Sequence, residues 1–73
     1  MPNRLRVVRE ARGLSQEALA EAALTSVSLI RRAELYDRLP PPMARERLAA
    51  ALGSTVGDVW PDLEAEVVAG GSS

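Results

Sequence analysis

Residues 14–34, LSQEALAEAALTSVSLIRRAE, contain two short helical patterns that lie almost end to end, and this stretch limits the possible folds more than any other. Ser15 opens the first pattern and Ser26 opens the second, each where a hydroxyl can accept a hydrogen bond from the first helical turn. Each pattern spans only about two turns, which is too short for a helix that is stable in isolation. Both helices must therefore pack against each other or against the rest of the chain.

The chain has 73 residues, which is enough for one small domain. It contains no cysteine and no histidine, so disulfide bonds, thiolate or imidazole metal sites and the commonest general base are all excluded. Because a glycine-rich phosphate loop is also missing, we find no catalytic set. We expect a protein that is not an enzyme and that needs no metal and no cofactor.

No stretch of the sequence approaches the roughly 18 apolar residues that a membrane-spanning helix needs. The start of the chain, MPNRLRVVRE, is charged throughout and lacks the apolar core of a signal peptide. We therefore expect no contact with a membrane and a cytoplasmic location.

Charge is divided unevenly along the chain, although the formal net charge is only −1. Residues 1–52 carry all nine arginines and six acids, so their net charge is +3. Residues 53–73 carry four acids and no base, so their net charge is −4. An anionic partner must therefore be bound by a local patch of arginines. We predict a domain over residues 1–60 and an acidic segment over residues 61–73 whose end, AGGSS, is disordered.

Helix signals also flank the two central patterns. Asn3 can cap a helix over residues 4–12, which Gly13 ends. The prolines at 40–42 forbid helix between them, and the last of the three can lie in the first turn of a fourth helix over residues 43–52.

A short fifth segment, VGDVWPDL, follows at residues 56–63. Thr55 and Asp58 have the spacing of a capping box at its start, and Trp60 is the large aromatic residue available to close the core. Since the sequence contains no strand signal, we predict an all-α fold, a compact bundle of about five short helices.

The apolar residues of the central stretch are spaced for two helices that cross closely. Helices that cross steeply through a turn of about four residues need a small side chain where their axes approach. Ala20 lies at that point, and Ile30 of the next helix reaches back beneath it. The predicted inner positions are Leu19, Ala20, Ala23, Ile30 and Ala33.

This stretch resembles the helix-turn-helix of the Cro/repressor-type (Xre-like) DNA-binding family. LSQEALAE is similar to the family's usual opening of the second helix and ALGSTVGDVW to its closing segment, so the resemblance extends over residues 4–60. It implies a lambda-repressor-like fold whose third helix enters the major groove of double-stranded DNA, in a transcriptional regulator that binds as a homodimer. Arg9 and Glu34 lie where many members have an ion pair between the first and third helices.

The resemblance also implies which residues contact DNA. They are Gln16, Thr25, Ser26, Val27, Ser28, Arg31, Arg32 and Arg38. Residues 26–28 and Arg32 face the bases, Gln16 and Arg38 contact the phosphate backbone, and the remaining two flank the base-facing residues. The acidic stretch DLEAEVV, which is unsuited to touching DNA, is the expected dimer contact.

The sequence departs from the family pattern at the turn between the two central helices. Leu24 occupies the position that is usually glycine. A left-handed conformation costs a non-glycine residue about 1–2 kcal/mol. We therefore expect a reshaped turn.

Other departures add apolar residues near the presumed reading surface. Val27 can contact a thymine methyl group but cannot form the bidentate pair by which a longer polar side chain discriminates bases. Tyr36 is assigned either to packing in the loop or to a phosphate contact through its hydroxyl. These departures support an alternative hypothesis, a helix-turn-helix scaffold used as a protein–protein interaction module or assembly component. The predicted contacts of such a protein partner are Leu24, Val27, Leu29 and Leu35.

Overall fold

The structure, a computed structural model, describes residues 3–63. Within this range the chain forms helices and no strand, which confirms the predicted all-α class. None of the helices in this range is long and apolar enough to span a membrane. The predicted disordered end at residues 69–73 and most of the acidic segment lie outside the described residues. The helices are α1 (Leu5–Ala11), α2 (Gln16–Ala23), α3 (Val27–Tyr36), α4 (Pro42–Ala51) and α5 (Val56–Val59).

The two serines of the central stretch start α2 and α3 as predicted. The Ser15 hydroxyl oxygen accepts a hydrogen bond from the Ala18 backbone N–H at 3.0 Å. The Ser26 hydroxyl oxygen accepts one from the Leu29 backbone N–H at 3.1 Å. Both serines have extended backbone angles, so each helix begins at the next residue.

The remaining helix bounds differ from the prediction by small amounts. The first helix is one residue shorter at each end than residues 4–12, because Arg4 is the N-cap and Arg12 the C-cap. The fifth segment is not one helix over residues 56–63, since Trp60 leaves the helical conformation and helical residues resume at 61. Trp60 precedes a proline, whose ring disfavours the α conformation of the residue before it.

One hydrophobic core joins all five helices. In it α2 packs against α3 and α4, α1 packs against α3, and α4 packs against α5. All of the predicted inner positions of the central stretch are buried, and Trp60 is 4% exposed. The other buried core residues are Leu5, Leu48, Ala49, Leu52 and Val59. Full burial of a leucine, isoleucine or valine side chain contributes about 1.5–3 kcal/mol, so these few residues dominate the stability of such a small domain.

The turn between α2 and α3 is not reshaped, contrary to the expectation from Leu24. Leu24 adopts the left-handed conformation itself, with φ 56° and ψ 46°, and the Thr25 backbone N–H closes the end of α2 by donating to the Ala20 carbonyl at 2.9 Å. The burial of Ala20 and Ile30 in one core determines the crossing of the two helices. The turn must join helices placed by that packing, so Leu24 takes the strained conformation.

Candidate nucleic-acid interface

The third helix has one buried face and one exposed face. Ile30 and Ala33 lie in the core with 0% exposure. On the opposite side the side chains of Arg31, Arg32 and Leu35 are exposed. Because residues three, four and seven apart share a face of an α-helix, these three form one outward surface with Ser28. The leading edge of α3 therefore projects away from the core.

The residues at the start of α3 are not equally available. Ser26 and Ser28 are exposed, whereas Thr25 and Val27 are half-buried. Val27 packs in part against the core. The Ser26 oxygen already accepts the capping bond from Leu29, so its remaining capacity toward a ligand lies mainly in its hydroxyl hydrogen.

A groove separates the exposed face of α3 from the loop that precedes α4. Arg32 and Arg38 both border this groove, although they are separated along the chain by the end of the helix. Tyr36, which is 72% exposed, lies with the same two arginines around an adjoining concavity. The groove is lined by Ser26, Ser28, Leu29, Arg32, Arg38, Leu39, Pro40 and Pro41.

The arginines of the groove carry charge that the described part of the chain does not neutralise. The ion pairs between residues 3 and 63 join Arg6 to Glu10 and Arg9 to Glu34, and neither groove arginine takes part in one. Asp37 lies between Tyr36 and Arg38 in sequence, but its Oδ1 accepts hydrogen bonds from Asn3. The groove therefore presents two exposed guanidinium groups to an anionic ligand.

A buried polar cluster holds α1, α2 and α3 together behind this surface. The Arg9 guanidinium donates to both oxygens of Glu34, with Nε–Oε2 at 2.6 Å and Nη2–Oε1 at 3.0 Å, and Nη1 donates to the Leu14 carbonyl at 2.7 Å. The ion pair that the resemblance implied is thus present, and it is buried, with side chains 9% and 3% exposed. The hydrogen bond to Glu34 raises the pKa of Arg9 above its ordinary value, so the guanidinium stays charged.

Gln16 belongs to the same cluster. Its Nε2 donates to Glu34 Oε1 at 3.1 Å, and the side chain is half-buried. An amide nitrogen carries two hydrogens, so one is held by Glu34 and the other is left for a ligand at the start of α2. The predicted phosphate contact of Gln16 remains a prediction, but Glu34 now supplies the reason for the orientation of the amide.

A family model described as a helix-turn-helix domain matches residues 3–59, which include all five helices named above. The chain belongs to this helix-turn-helix family. Among the curated proteins and among the solved structures, nothing matches the sequence.

In this helix-turn-helix domain the predicted site residues fall into three groups. Exposed positions on or next to α3 are occupied by Ser26, Ser28, Arg31, Arg32 and Arg38. Half-buried positions are occupied by Thr25 and Val27, and Gln16 is tied to the ion pair behind the surface. Arg38 thus lies at the same groove as Arg32 of α3. Only part of the Val27 side chain is exposed.

The helix-turn-helix surface also contains groups that sequence reasoning did not assign to DNA. Leu35 lies seven residues after Ser28, so the period of the helix alone places both on one face. Leu39 and the prolines beside it line the groove through a fold of the loop, which no local pattern in the sequence predicts.

The four predicted contacts of a protein partner do not form a uniformly exposed patch. Leu24 is 76% exposed and Leu35 is 60% exposed, but Val27 and Leu29 pack in part against the core. Val27 and Leu29 therefore offer only part of their side chains to a partner, and the predicted protein contact remains a prediction.

Proposed function

We propose that the protein binds double-stranded DNA in a sequence-specific manner, as a small transcriptional regulator of the Cro/repressor type. The observation that carries this proposal is the exposed face of α3, bordered by a groove that contains two arginines without carboxylate partners among the described residues. A helix-turn-helix places its second helix in the major groove of DNA, and arginine suits both phosphate and guanine.

The proposal gives each part of this surface a role. Arg32 can form a bidentate pair with the O6 and N7 atoms of guanine, and Ser26 and Ser28 can hydrogen-bond to neighbouring base edges. Val27, whose side chain is half-buried, contacts a thymine methyl group. Thr25 and Arg31 flank this surface. The phosphate backbone is contacted by Gln16, Tyr36 and Arg38.

The proposal also covers assembly and cellular context. Proteins of this kind usually bind two half-sites as a dimer, so we infer a homodimer on DNA. We also infer a cytoplasmic location and no catalytic role. The expected dimer contact, DLEAEVV, lies mostly beyond the described residues.

Fluorescence anisotropy on duplex DNA over a salt series tests the activity. Arg31 and Arg38, together with one or both of Arg4 and Arg6 at the start of the chain, would make three or four arginine–phosphate contacts per subunit. These contacts predict that log K falls with log salt at a slope of about −3 to −4. Arg32→Ala should weaken binding to a selected sequence by about 1–3 kcal/mol and relax the preference for guanine at one position. Arg47→Ala is the matched control, because Arg47 is exposed on α4 and outside the proposed surface.

A flat salt response, or no binding at micromolar protein, contradicts the proposal. So does an equal effect of the two arginine substitutions, since DNA contact through α3 requires Arg32 to matter more.

A second candidate function, docking of a protein partner on the same scaffold, is favoured by one observation. Leu24, Leu35 and Leu39 are all more than half exposed. Leu35→Ser separates the two functions better than a change at Val27, because Leu35 does not support the core. A protein-docking surface loses its partner with Leu35→Ser and keeps it with Arg32→Ala, whereas a DNA reader is weakened more by Arg32→Ala.

A further inference from the structure

Asn3 connects the beginning of α1 to the end of α3. Its Oδ1 accepts a hydrogen bond from the Leu5 backbone N–H at 2.9 Å. Its Nδ2 donates to the Ala33 carbonyl at 2.8 Å and to Asp37 Oδ1 at 2.8 Å, and its backbone N–H donates to the same Asp37 oxygen at 3.0 Å. One asparagine thus holds together two chain segments that are 34 residues apart.

The residue that Asn3 binds is the one that turns the chain out of α3. Asp37 is left-handed, with φ 52° and ψ 36°, and its backbone N–H donates to the Arg32 carbonyl. The Arg38 backbone N–H donates to the same carbonyl at 3.3 Å. The conformation of Asp37 therefore sets the direction in which Arg38 leaves the helix and enters the groove.

We propose that Asn3 is a positioning residue for DNA binding, which acts by holding Asp37 left-handed so that Arg38 faces the phosphate backbone. This inference rests on the proposed function, since it assigns Arg38 a phosphate contact. It extends the site to a residue at the far end of the sequence that does not touch the groove.

The chemistry of this contact requires an amide. An amide offers an acceptor to Leu5 and two donor hydrogens to the acceptors at the end of α3. An aspartate at position 3 has the same shape but places a second carboxylate against Asp37 and a further acceptor against the Ala33 carbonyl. Asn3→Asp therefore replaces the attraction between residue 3 and Asp37 by repulsion, whereas Asn3→Ala only removes the attraction.

The test measures DNA affinity and its salt dependence for Asn3→Ala, Asn3→Asp, Arg38→Ala and the double variant Asn3→Ala/Arg38→Ala. We expect Asn3→Ala to weaken binding roughly three- to tenfold and Asn3→Asp to weaken it more. The magnitude of the salt slope should fall by up to about 0.9 in Asn3→Ala, as in Arg38→Ala, because one phosphate contact is lost. The double variant should be no weaker than Arg38→Ala alone.

A rescue variant separates positioning from plain destabilisation. Glycine adopts the left-handed conformation readily, so in an Asp37→Gly background the added loss of Asn3 should have little effect on DNA affinity. Thr55→Ala is the matched stability control, because it removes a helix cap in α5 and leaves the end of α3 intact. Additive effects of Asn3→Ala and Arg38→Ala, or an unchanged salt slope, overturn the proposal.

A measurement without DNA keeps this inference distinct from the proposed function. The NMR order parameters of the Asp37 and Arg38 backbone amides should be near 0.85 in the native chain and should fall toward about 0.6 in Asn3→Ala. Unchanged order parameters overturn the positioning role even if DNA is bound. If the native chain binds no DNA, the proposed function fails, and the order parameters still decide whether Asn3 holds the end of α3.

Discussion

At the scale of single residues, two residues other than glycine between positions 3 and 63 adopt left-handed backbone conformations, and they lie on either side of α3. Leu24 precedes the helix and Asp37 ends it. The Asp37 carboxylate is hydrogen-bonded by Asn3, which supports its conformation. Leu24 has no such support, since its side chain is 76% exposed and gains little from burial. The strain at Leu24 is therefore balanced by packing elsewhere, in the core to which Ala20 and Ile30 belong.

Leu24→Gly should stabilise the protein by about 1 kcal/mol, because glycine adopts the left-handed conformation without the clash of a Cβ atom. For a domain of this size that corresponds to a rise in Tm of about 4–8 °C. Thermal and urea unfolding, followed by circular dichroism, measure this change in stability. Leu24→Ala should leave stability nearly unchanged, and Leu35→Gly, an exposed position within α3, should lower it by about 1 kcal/mol. A loss of stability in Leu24→Gly contradicts this explanation.

At the scale of secondary-structure elements, hydrogen bonds at the first turn let very short helices form. The four-residue helix α5 has a complete capping box, in which the Asp58 carboxylate accepts from the Thr55 backbone N–H at 3.0 Å and the Thr55 hydroxyl accepts from the Asp58 backbone N–H at 3.1 Å. These two bonds, with Val59 and Trp60 in the core, hold a segment that is too short to be helical in isolation.

The capping box predicts a particular response to acid. The hydrogen bond from the Thr55 backbone, aided by its side chain, holds the pKa of Asp58 below its ordinary value of 3.8. A carboxylate whose pKa is depressed on folding stabilises the protein above its unfolded pKa, and this contribution is lost as the pH falls through the folded pKa. The stability difference between the native chain and Asp58→Asn should thus be constant above about pH 5 and shrink below pH 3.8.

Denaturant unfolding at several pH values measures this difference. Asp62→Asn, a change of the same type at an exposed residue outside the capping box, is the control. A difference that grows on acidification contradicts the assignment of the stabilising interaction to the ionised Asp58 carboxylate.

At the scale of the whole molecule, all nine arginines lie in residues 1–52, whereas residues 53–73 carry four acids and no base. The net charge of −1 gives little long-range attraction to DNA, so the proposed DNA binding has to rely on local contacts such as those proposed for Arg32 and Arg38. A single small domain makes few such contacts, which is the physical reason to expect two copies on a palindromic site. Two copies double the phosphate contacts without enlarging the chain.

A palindromic duplex with half-sites about 10 base pairs apart should bind two protomers cooperatively, because that spacing puts both half-sites on one face of the DNA. Sedimentation equilibrium with labelled duplex gives the stoichiometry. A duplex whose half-sites are moved apart by a further five base pairs should bind without cooperativity, because the half-sites then lie on opposite faces. Equal cooperativity on both duplexes contradicts the homodimer.

Some features of the candidate site could be predicted from the sequence, and others could not. Ser28 and Arg32 could be placed on the exposed face of α3 from helical period, since residues four apart always share a face. The pairing of Arg9 with Glu34 came from the resemblance to a family, and its burial came from the structure. The bond between Gln16 and Glu34 could not be predicted, because it depends on how closely α2 and α3 approach.

The sequence alone determined the all-α class, the serine caps of α2 and α3, the capping box of α5 and the inner positions of the central stretch, because these depend on interactions between residues a few positions apart. Serine caps, helical period and prolines act within one or two turns. Only the tertiary structure decided that Leu24 is left-handed, that Arg38 joins Arg32 at one groove and that Asn3 binds Asp37. Each of these depends on the relative placement of packed helices, which is set by the whole core at once and by no local pattern.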